Sequence, residues 1–331
     1  MKCADPVLCY TDQKGKRIFR HFSHSSEIYK AHLHQQVFSC GRCLPCRKAK
    51  AQQLAARCCL HASLYKDNCF LTLTYDEKKE GYHNEFHYAD VQNFKKRLRK
   101  YVSGKLKRRI EVFNVHEYGK NGKKHWHLIV FNWRPDDQTL FTTSGGHSLY
   151  TSKLLEKLWS KGFSTIGDVS EGSALYQAQY MEKDFKHDNQ TSKRKSHSKH
   201  SGLGRPYFEK HYKQLLTLGY VPFGGRKIAI PRYFEKIADK HYSYFYDQSR
   251  FHDTSFRKAV HRPFKKDQAN KEIADLYLEY KTVRQKHIES LEEEWKSLIT
   301  EHLTAQNEPD FIKSASNKLY DLKNRQDQEK F

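Results

Sequence analysis

A chain of 331 residues is longer than the usual single domain, so one catalytic-sized domain with one or two smaller modules is expected. Hydrophobic residues at 37% and aromatics at 14% supply the volume for a sizeable core and exclude a disordered chain. Lysine and arginine outnumber aspartate and glutamate by 60 to 38, and the resulting +22 favours a polyanionic partner, nucleic acid before membrane.

No apolar run approaches the length that spans a bilayer, and the start, MKCADPVLCYTDQKGK, lacks the apolar stretch of a signal peptide. The expected setting is the cytosol, without membrane association or secretion. There, eight cysteines read as thiols or metal ligands rather than as disulfides.

Seven of the eight cysteines fall in residues 1–60, read as a Cys-rich N-terminal module. Within it, Cys40-Gly41-Arg42-Cys43-Leu44-Pro45-Cys46 precedes the Ala-rich RKAKAQQLAARCCL, so a Cys-rich loop is expected to cap a helix. Cys40, Cys43 and Cys46 have spacings that suit a tetrahedral thiolate site, with Cys3 or Cys9 as the fourth ligand. Zinc is the first candidate ion, an iron–sulfur cluster the second, and a set of reduced, unmetallated thiols the plain alternative.

From Phe70 the pattern changes to strands. FLTLTYD (70–76), IEVFNVHEYG (110–119) and HWHLIVFNW (125–133) are rich in β-branched and aromatic residues, and Gly119-Lys120-Asn121-Gly122 predicts a hairpin between the last two. Between them ADVQNFKKRLRKYV (89–102) has helical periodicity, with an apolar face for the core and a basic one. Exposed lysines and arginines usually only solvate a surface. The runs KKRLRK (95–100) and KLKRR (105–109) nevertheless precede the strands closely enough to flank a DNA channel, with Lys95, Lys96, Arg97, Arg99, Lys100, Lys123 and Lys124 as phosphate contacts.

Further on, SKLLEKLWSKGF (152–163) predicts a helix ended by Gly162, and SALYQAQYMEKDFK (173–186) another, with Ser173 as its cap. The Ser-, Lys- and His-rich residues 187–202 read as a mobile loop suited to a phosphate backbone. Residues 61–240 are taken as the catalytic domain and 241–331 as a helical C-terminal region. In the latter, Ile273, Leu276, Tyr280, Val283, Ile288, Leu291, Trp295 and Leu298 recur at helical spacing.

Two constellations carry chemistry. His125-Trp126-His127 opens the third strand, and residues two apart on a strand share a face, so both imidazoles can reach one ion. Glu117, on the preceding strand, supplies a carboxylate across the ladder and completes a set of two histidines and one carboxylate. With 20 histidines, chance alone yields about one such pair, and His32-Leu33-His34 is a second. The 125/127 pair is preferred because an apolar strand follows it.

Tyr176 and Tyr180 lie four apart on a predicted helix with Lys183 three further on, so the three share one face. A tyrosine hydroxyl, with a pKa near ~10, needs a base or a cation before it attacks a phosphodiester. Such an attack keeps the bond energy in a 5′-phosphotyrosine link, so the strand can be rejoined without ATP. The same spacing occurs in Tyr242/Tyr246, read as packing aromatics.

The order FLTLTYD, HEYGKNGKKHWHLIVF, YQAQYMEK closely resembles the three motifs of the HUH endonuclease superfamily. Within it, the likeness is to the replication initiators of small single-stranded DNA phages, the microviruses of the gokushovirus branch. MKCADP, CGRCLPCRKAKA and GLGRPYFEKH (202–211) extend the resemblance over roughly residues 1–210. It implies an α+β domain of ferredoxin- or RRM-like type: a central antiparallel sheet with flanking helices, His125 and His127 on the middle strand, and the tyrosine helix beneath.

It also implies Mg²⁺ or Mn²⁺ on His125 and His127, and Tyr176 and Tyr180 as nucleophiles. The implied activity is nicking at an origin on supercoiled double-stranded DNA, followed by rejoining of the displaced single strand. The partners would be origin DNA and the replication machinery of a bacterial host, in whose cytoplasm a non-structural viral protein would act. Two departures stand out: Gly122-Lys123-Lys124 replaces the usual Gly-Arg-Pro, and Gln179 replaces the lysine before the second tyrosine, leaving Lys183 as the activating charge. The alternatives are a two-tyrosine transposase and a non-catalytic nucleic-acid-binding protein.

Overall fold

The computed structural model describes residues 7–11, 17–21, 36–79, 86–119, 122–183, 196–197, 202–247 and 269–303. The chain divides into two compact units, residues 51–274, and residues 1–50 with 275–331. No described helix is long and apolar enough to cross a membrane.

In the smaller unit, β1 (Val7–Thr11) lies between β2 (Arg17–His21) and β3 (Gln36–Phe38) in a three-stranded antiparallel sheet. A short Cys-rich loop then enters α1 (Leu44–Ala62), as the Ala-rich sequence predicts. The long C-terminal helix, α7 (Lys271–Leu303), covers the predicted amphipathic stretch.

The larger unit is an α+β domain built on one antiparallel sheet. In spatial order its strands are β10 (Ser196–His197), β5 (Glu111–Tyr118), β6 (Lys124–Phe131), β4 (Asn68–Thr74), β9 (Ser164–Gly167), β8 (His147–Ser152) and β7 (Gln138–Ser144). β4 therefore occupies the middle, and β6 is the inner strand beside it. β5 and β6 form the predicted hairpin, closed by Gly119 N–H to Lys123 O at 2.8 Å. Of the polar segment 187–202, only Ser196–His197, paired with β5, and Gly202 are described.

Side chains alternate across the sheet, and each face has its own core. On one, Leu71 and Leu73 of β4 and Trp126, Leu128 and Val130 of β6 pack with Val91, Phe94 and Leu98 of α2 (Tyr88–Tyr101) and Leu155 and Trp159 of α3 (Lys153–Trp159). On the other, Phe113 and Val115 of β5 and Ile129 and Phe131 of β6 pack with Ala51, Ala55 and Cys58 of α1 and Ala174 and Ala178 of α4 (Glu171–Lys183). A π turn, Val102–Leu106, extends α2. α5 (Arg205–Leu218), the hairpin β11 (Tyr220–Phe223) and β12 (Arg226–Ala229), and α6 (Arg232–Tyr246) follow. On α6 the Tyr242 and Tyr246 rings lie against each other, centroids 5.6 Å apart.

Two predicted helix boundaries move. α3 ends at Trp159, before Gly162; Ser160 at φ 23° turns the chain out of the helix. Gly162 instead runs against β4, where Thr74 N–H donates to Phe163 O at 2.8 Å and Asp76 N–H to Lys161 O at 3.0 Å. A Cβ there would stand 2.6 Å from Asp76 N. α4 begins at Glu171, and its cap is Ser170. Ser173 N–H donates to Ser170 Oγ at 3.1 Å while Ser170 N–H donates to Ser173 Oγ at 2.8 Å, a reciprocal cap in which Ser173 is the inner member.

His241 on α6 is buried, and its Nδ1 accepts the Asn270 N–H at 3.1 Å. Burial, with Arg205 and Lys240 nearby, pushes its pKa down to about 4. Because the unfolded histidine titrates near ~6.5, its contribution is fully present above that value and is lost as pH falls toward 4, at most about 3 kcal/mol. Denaturant titrations across pH 4–7 should show this slope, and His241→Asn should flatten it. Gly162→Ala should destabilise by about 2 kcal/mol, since backbone atoms cannot yield, whereas Gly104→Ala, which meets nothing within 4 Å, should leave the thermal midpoint unchanged.

Candidate active site

The site forms where the β5–β6 hairpin meets β4 and α4. Register puts Glu117 opposite His125 and Val115 opposite His127, while β4 sets Thr72 opposite His127 and Thr74 opposite His125. Each threonine shares a hydrogen bond with the Nδ1 of its histidine, 3.1 Å for Thr72–His127 and 2.9 Å for Thr74–His125. These bonds orient both rings and leave each Nε2 for the site. Gly119 backs His125: a Cβ there would stand 2.7 Å from Nε2, so any other residue would press on that nitrogen. Phe70 stacks on His127, centroids 5.5 Å apart.

His127 Nε2 lies 2.9 Å from Glu117 Oε1, and the Tyr176 hydroxyl donates to that same oxygen at 3.0 Å. The tyrosine ring meets His127 edge-on at 5.5 Å. Tyr176 stays 42% exposed, so its oxygen is held by the site yet open to a large substrate. Burial lowers the His125 pKa and the neighbouring His127 adds to this, against an opposing effect of Glu117, which favours a neutral, ligand-competent imidazole.

Gln177, fully buried, holds α4 on the sheet: Nε2 donates to Phe113 O at 3.0 Å and to His127 O at 3.3 Å. It therefore sets the height of Tyr176 above His127. The sequence reading missed Gln177, Thr72, Thr74 and Gly119. The threonines had a signal, since they alternate in FLTLTYD with the period of the histidines. A glutamine inside a tyrosine helix had none. α4 continues through Tyr180 and Lys183, one and two turns beyond Tyr176, but their side chains fall outside the described residues, as do His32 and His34.

Two imidazole nitrogens and a carboxylate match a divalent ion such as Mg²⁺ or Mn²⁺ in donor chemistry. The hydrogen bond between His127 Nε2 and Glu117 Oε1 puts a proton between the two atoms that a cation would bridge. Among the described residues, the group of three or more His, Cys, Asp or Glu donors lying within 4.8 Å of one another is Cys40, Cys43 and Cys46. His125 thus stands somewhat farther from the His127–Glu117 pair than that spacing. The fit is one of donor type and orientation, with His125 still to draw in.

The basic residues divide. Lys96, Arg97, Arg99, Lys100 and Lys123 are exposed. Lys95 is buried, its Nζ donating to Asn114 Oδ1 at 2.8 Å, and Lys124 is buried with Nζ 4.5 Å from the centre of the Tyr75 ring. Burial pushes both ammonium pKa values down. These two face inward because alternation and helix packing turn them to the core side. α2 itself packs on the sheet face opposite His125 and His127, so its outward charges project from the far side of the sheet.

A family model for replication-associated proteins of the ORF2 type matches residues 68–185, the span from β4 through α4. The chain is similar to Replication-associated protein VP4 of Bdellovibrio phage phiMH2K, 31% identical over 246 residues that cover 71% of this chain and 76% of that protein. It is similar also to Replication-associated protein ORF4 of Chlamydia phage 1, 31% identical over 235 residues, 67% of this chain and 58% of that one. A third relative is Replication-associated protein ORF2 of Spiroplasma virus 4, 29% identical over 262 residues, 72% of this chain and 81% of that one. No solved structure matches the chain significantly.

Gln177→Ala leaves two buried carbonyls without their amide donor and should lower stability by about 2 kcal/mol, read as a shift in the denaturant midpoint. An unchanged midpoint would mean that Gln177 does not anchor α4.

Proposed function

This chain belongs to the family of phage replication-associated proteins, and from that premise we propose that it is a rolling-circle initiator that nicks and rejoins DNA. The observation that carries the reading is the Tyr176 hydroxyl donating to Glu117 Oε1, the oxygen that also meets His127 Nε2. A phenol is a poor nucleophile until its proton has somewhere to go, and here the acceptor is a carboxylate at 3.0 Å.

In the proposed reaction the Tyr176 proton passes to Glu117 Oε1 and the phenolate oxygen attacks the scissile phosphorus in line. The new bond is a 5′-phosphotyrosine. The bond to the 3′ oxygen breaks, and that oxygen leaves as a hydroxyl after taking up a proton. One phosphodiester is exchanged for another, so attack by a 3′-hydroxyl reverses the step and reseals the strand. His125, His127 and Glu117 would hold Mg²⁺ or Mn²⁺, which when bound supplies Lewis-acid polarisation of the phosphate oxygens. Thr72 and Thr74 keep both rings oriented, and Gly119 keeps the space at His125 Nε2 open.

Tyr180 is proposed as the second nucleophile and Lys183 as the cation that favours its ionised form. Lys96, Arg97, Arg99, Lys100 and Lys123 are proposed phosphate contacts, which would give affinity without sequence choice. Residues 61–240 would be the nuclease, with 1–60 and 241–331 as accessory parts. The DNA would be an origin on a supercoiled replicative form, in the cytoplasm of a bacterial host whose polymerase extends the 3′-hydroxyl.

Purified protein incubated with supercoiled origin-bearing DNA and Mn²⁺ should nick one strand and stay on its 5′ end through denaturing gels, and EDTA should abolish this. Tyr176→Phe should remove attachment through that residue, the Tyr176→Phe, Tyr180→Phe double variant should remove nicking altogether, and Glu117→Gln should slow it by about 10²-fold or more. DNA that is bound tightly but never cut would instead assign the chain to non-catalytic nucleic-acid binding.

A further inference from the structure

We propose that Cys40, Cys43 and Cys46 are three ligands of a zinc ion that clamps the N-terminal loop onto the first turn of α1, with Cys3 as the fourth thiolate. The proposal stands on the local geometry of this loop and does not rest on the nicking reading.

Gly41, at φ +71° in the left-handed region, turns the chain back toward Cys40. The backbone N–H groups of Arg42 and Cys43 then donate to Cys40 Sγ at 3.4 and 3.3 Å. Arg47 N–H donates to Cys43 O at 3.0 Å, which opens the helix, and Lys50 Nζ reaches back to Gly41 O at 2.8 Å. Cys46, in the first helical turn, is buried while Cys40 and Cys43 are half-buried, and the three sulfurs lie within 4.8 Å of one another.

Those features favour thiolate over thiol. N–H groups aimed at sulfur, the positive end of a nineteen-residue helix and the Lys50 ammonium all stabilise negative charge at this spot. Sulfur anions this close repel unless a cation lies among them. A disulfide cannot account for the group, because it joins two sulfurs at about 2 Å and leaves the third unused. A Zn–S distance of about 2.3 Å in tetrahedral geometry separates the sulfurs by about 3.8 Å, so the existing arrangement needs only a slight contraction.

A closed structural site takes four ligands. Cys3 lies outside the described residues; in sequence it is four residues before Val7, and Val7 pairs with Phe38, two residues before Cys40. Each thiol releases its proton as its bond to zinc forms, so affinity falls in acid. The physical need is plain, for the sheet β1–β2–β3 has strands of only five, five and three residues, and small modules of that kind commonly require a metal or cross-link.

The full-length protein, purified without chelator, should carry one zinc per chain by elemental analysis, released on titration with a mercurial. Replacing zinc by Co²⁺ should produce intense sulfur-to-cobalt charge-transfer bands with tetrahedral ligand-field absorption. Cys40→Ser and Cys43→Ser should each lose most of the zinc. Cys59→Ser, elsewhere on α1, and the His125→Ala, His127→Ala double variant should keep it, which separates this site from the candidate active site. Full zinc content in Cys40→Ser and Cys43→Ser, iron with inorganic sulfide, or a wild-type chain that takes up neither zinc nor cobalt would each overturn the proposal. The cobalt spectrum reads the wild-type protein, so the test holds even where a cysteine variant misfolds.

Discussion

Everything in the candidate site depends on the pairing of three adjacent strands, β5, β6 and β4. Because side chains alternate across a strand, one register brings Glu117, His125, His127, Thr72 and Thr74 to the same face at the same end of the sheet. A shift of one residue in either pairing would send the partners of the histidines to the opposite face. The register is secured by what lies further along the same strands. Trp126, Leu128 and Val130 point into one core while Ile129 and Phe131 point into the other, so β6 cannot slip without burying its polar residues in both.

The second constraint is the docking of α4. Ala174 and Ala178 give the helix a small-sided face that lies close on β5 and β6, and Gln177 converts that closeness into two hydrogen bonds with sheet carbonyls. The reciprocal Ser170–Ser173 cap satisfies the first turn and fixes where the helix begins. Tyr176, beside Gln177 in sequence, is thereby carried to Glu117, with its ring against His127 and its edge in solvent. A loop could hold the same hydroxyl only with more freedom, and in-line chemistry tolerates little of that.

The opposite face carries a different load. α2 and α3 cover it with Phe94, Leu98, Leu155 and Trp159, and two lysines of the basic runs are drawn inward there. Lys95 is compensated by Asn114 and Lys124 by the Tyr75 ring, since a buried ammonium without a partner would be far more costly. The remaining charges on α2 are directed outward from that same side. A DNA strand that meets both them and Tyr176 has to pass around the sheet.

By itself, the sequence determined the elements and their local chemistry. The β-branched runs, the glycines of the hairpin, the His-x-His alternation, the tyrosine helix and the Cys-x-x-Cys-x-x-Cys loop are all short-range patterns, set by backbone sterics and by periods of 2 and 3.6 residues. The α+β class with a central antiparallel sheet follows from their order, and the resemblance of three ordered motifs agrees with the family to which the chain belongs. Only the tertiary structure decided which face each element covers. The inward turn of Lys95 and Lys124, the place of α2 across the sheet from the histidines, the Gln177 anchor, the threonine partners of the imidazoles and the role of Gly162 all arise between residues far apart in the chain. They depend on packing across the sheet, which leaves no periodic trace in either partner's own segment.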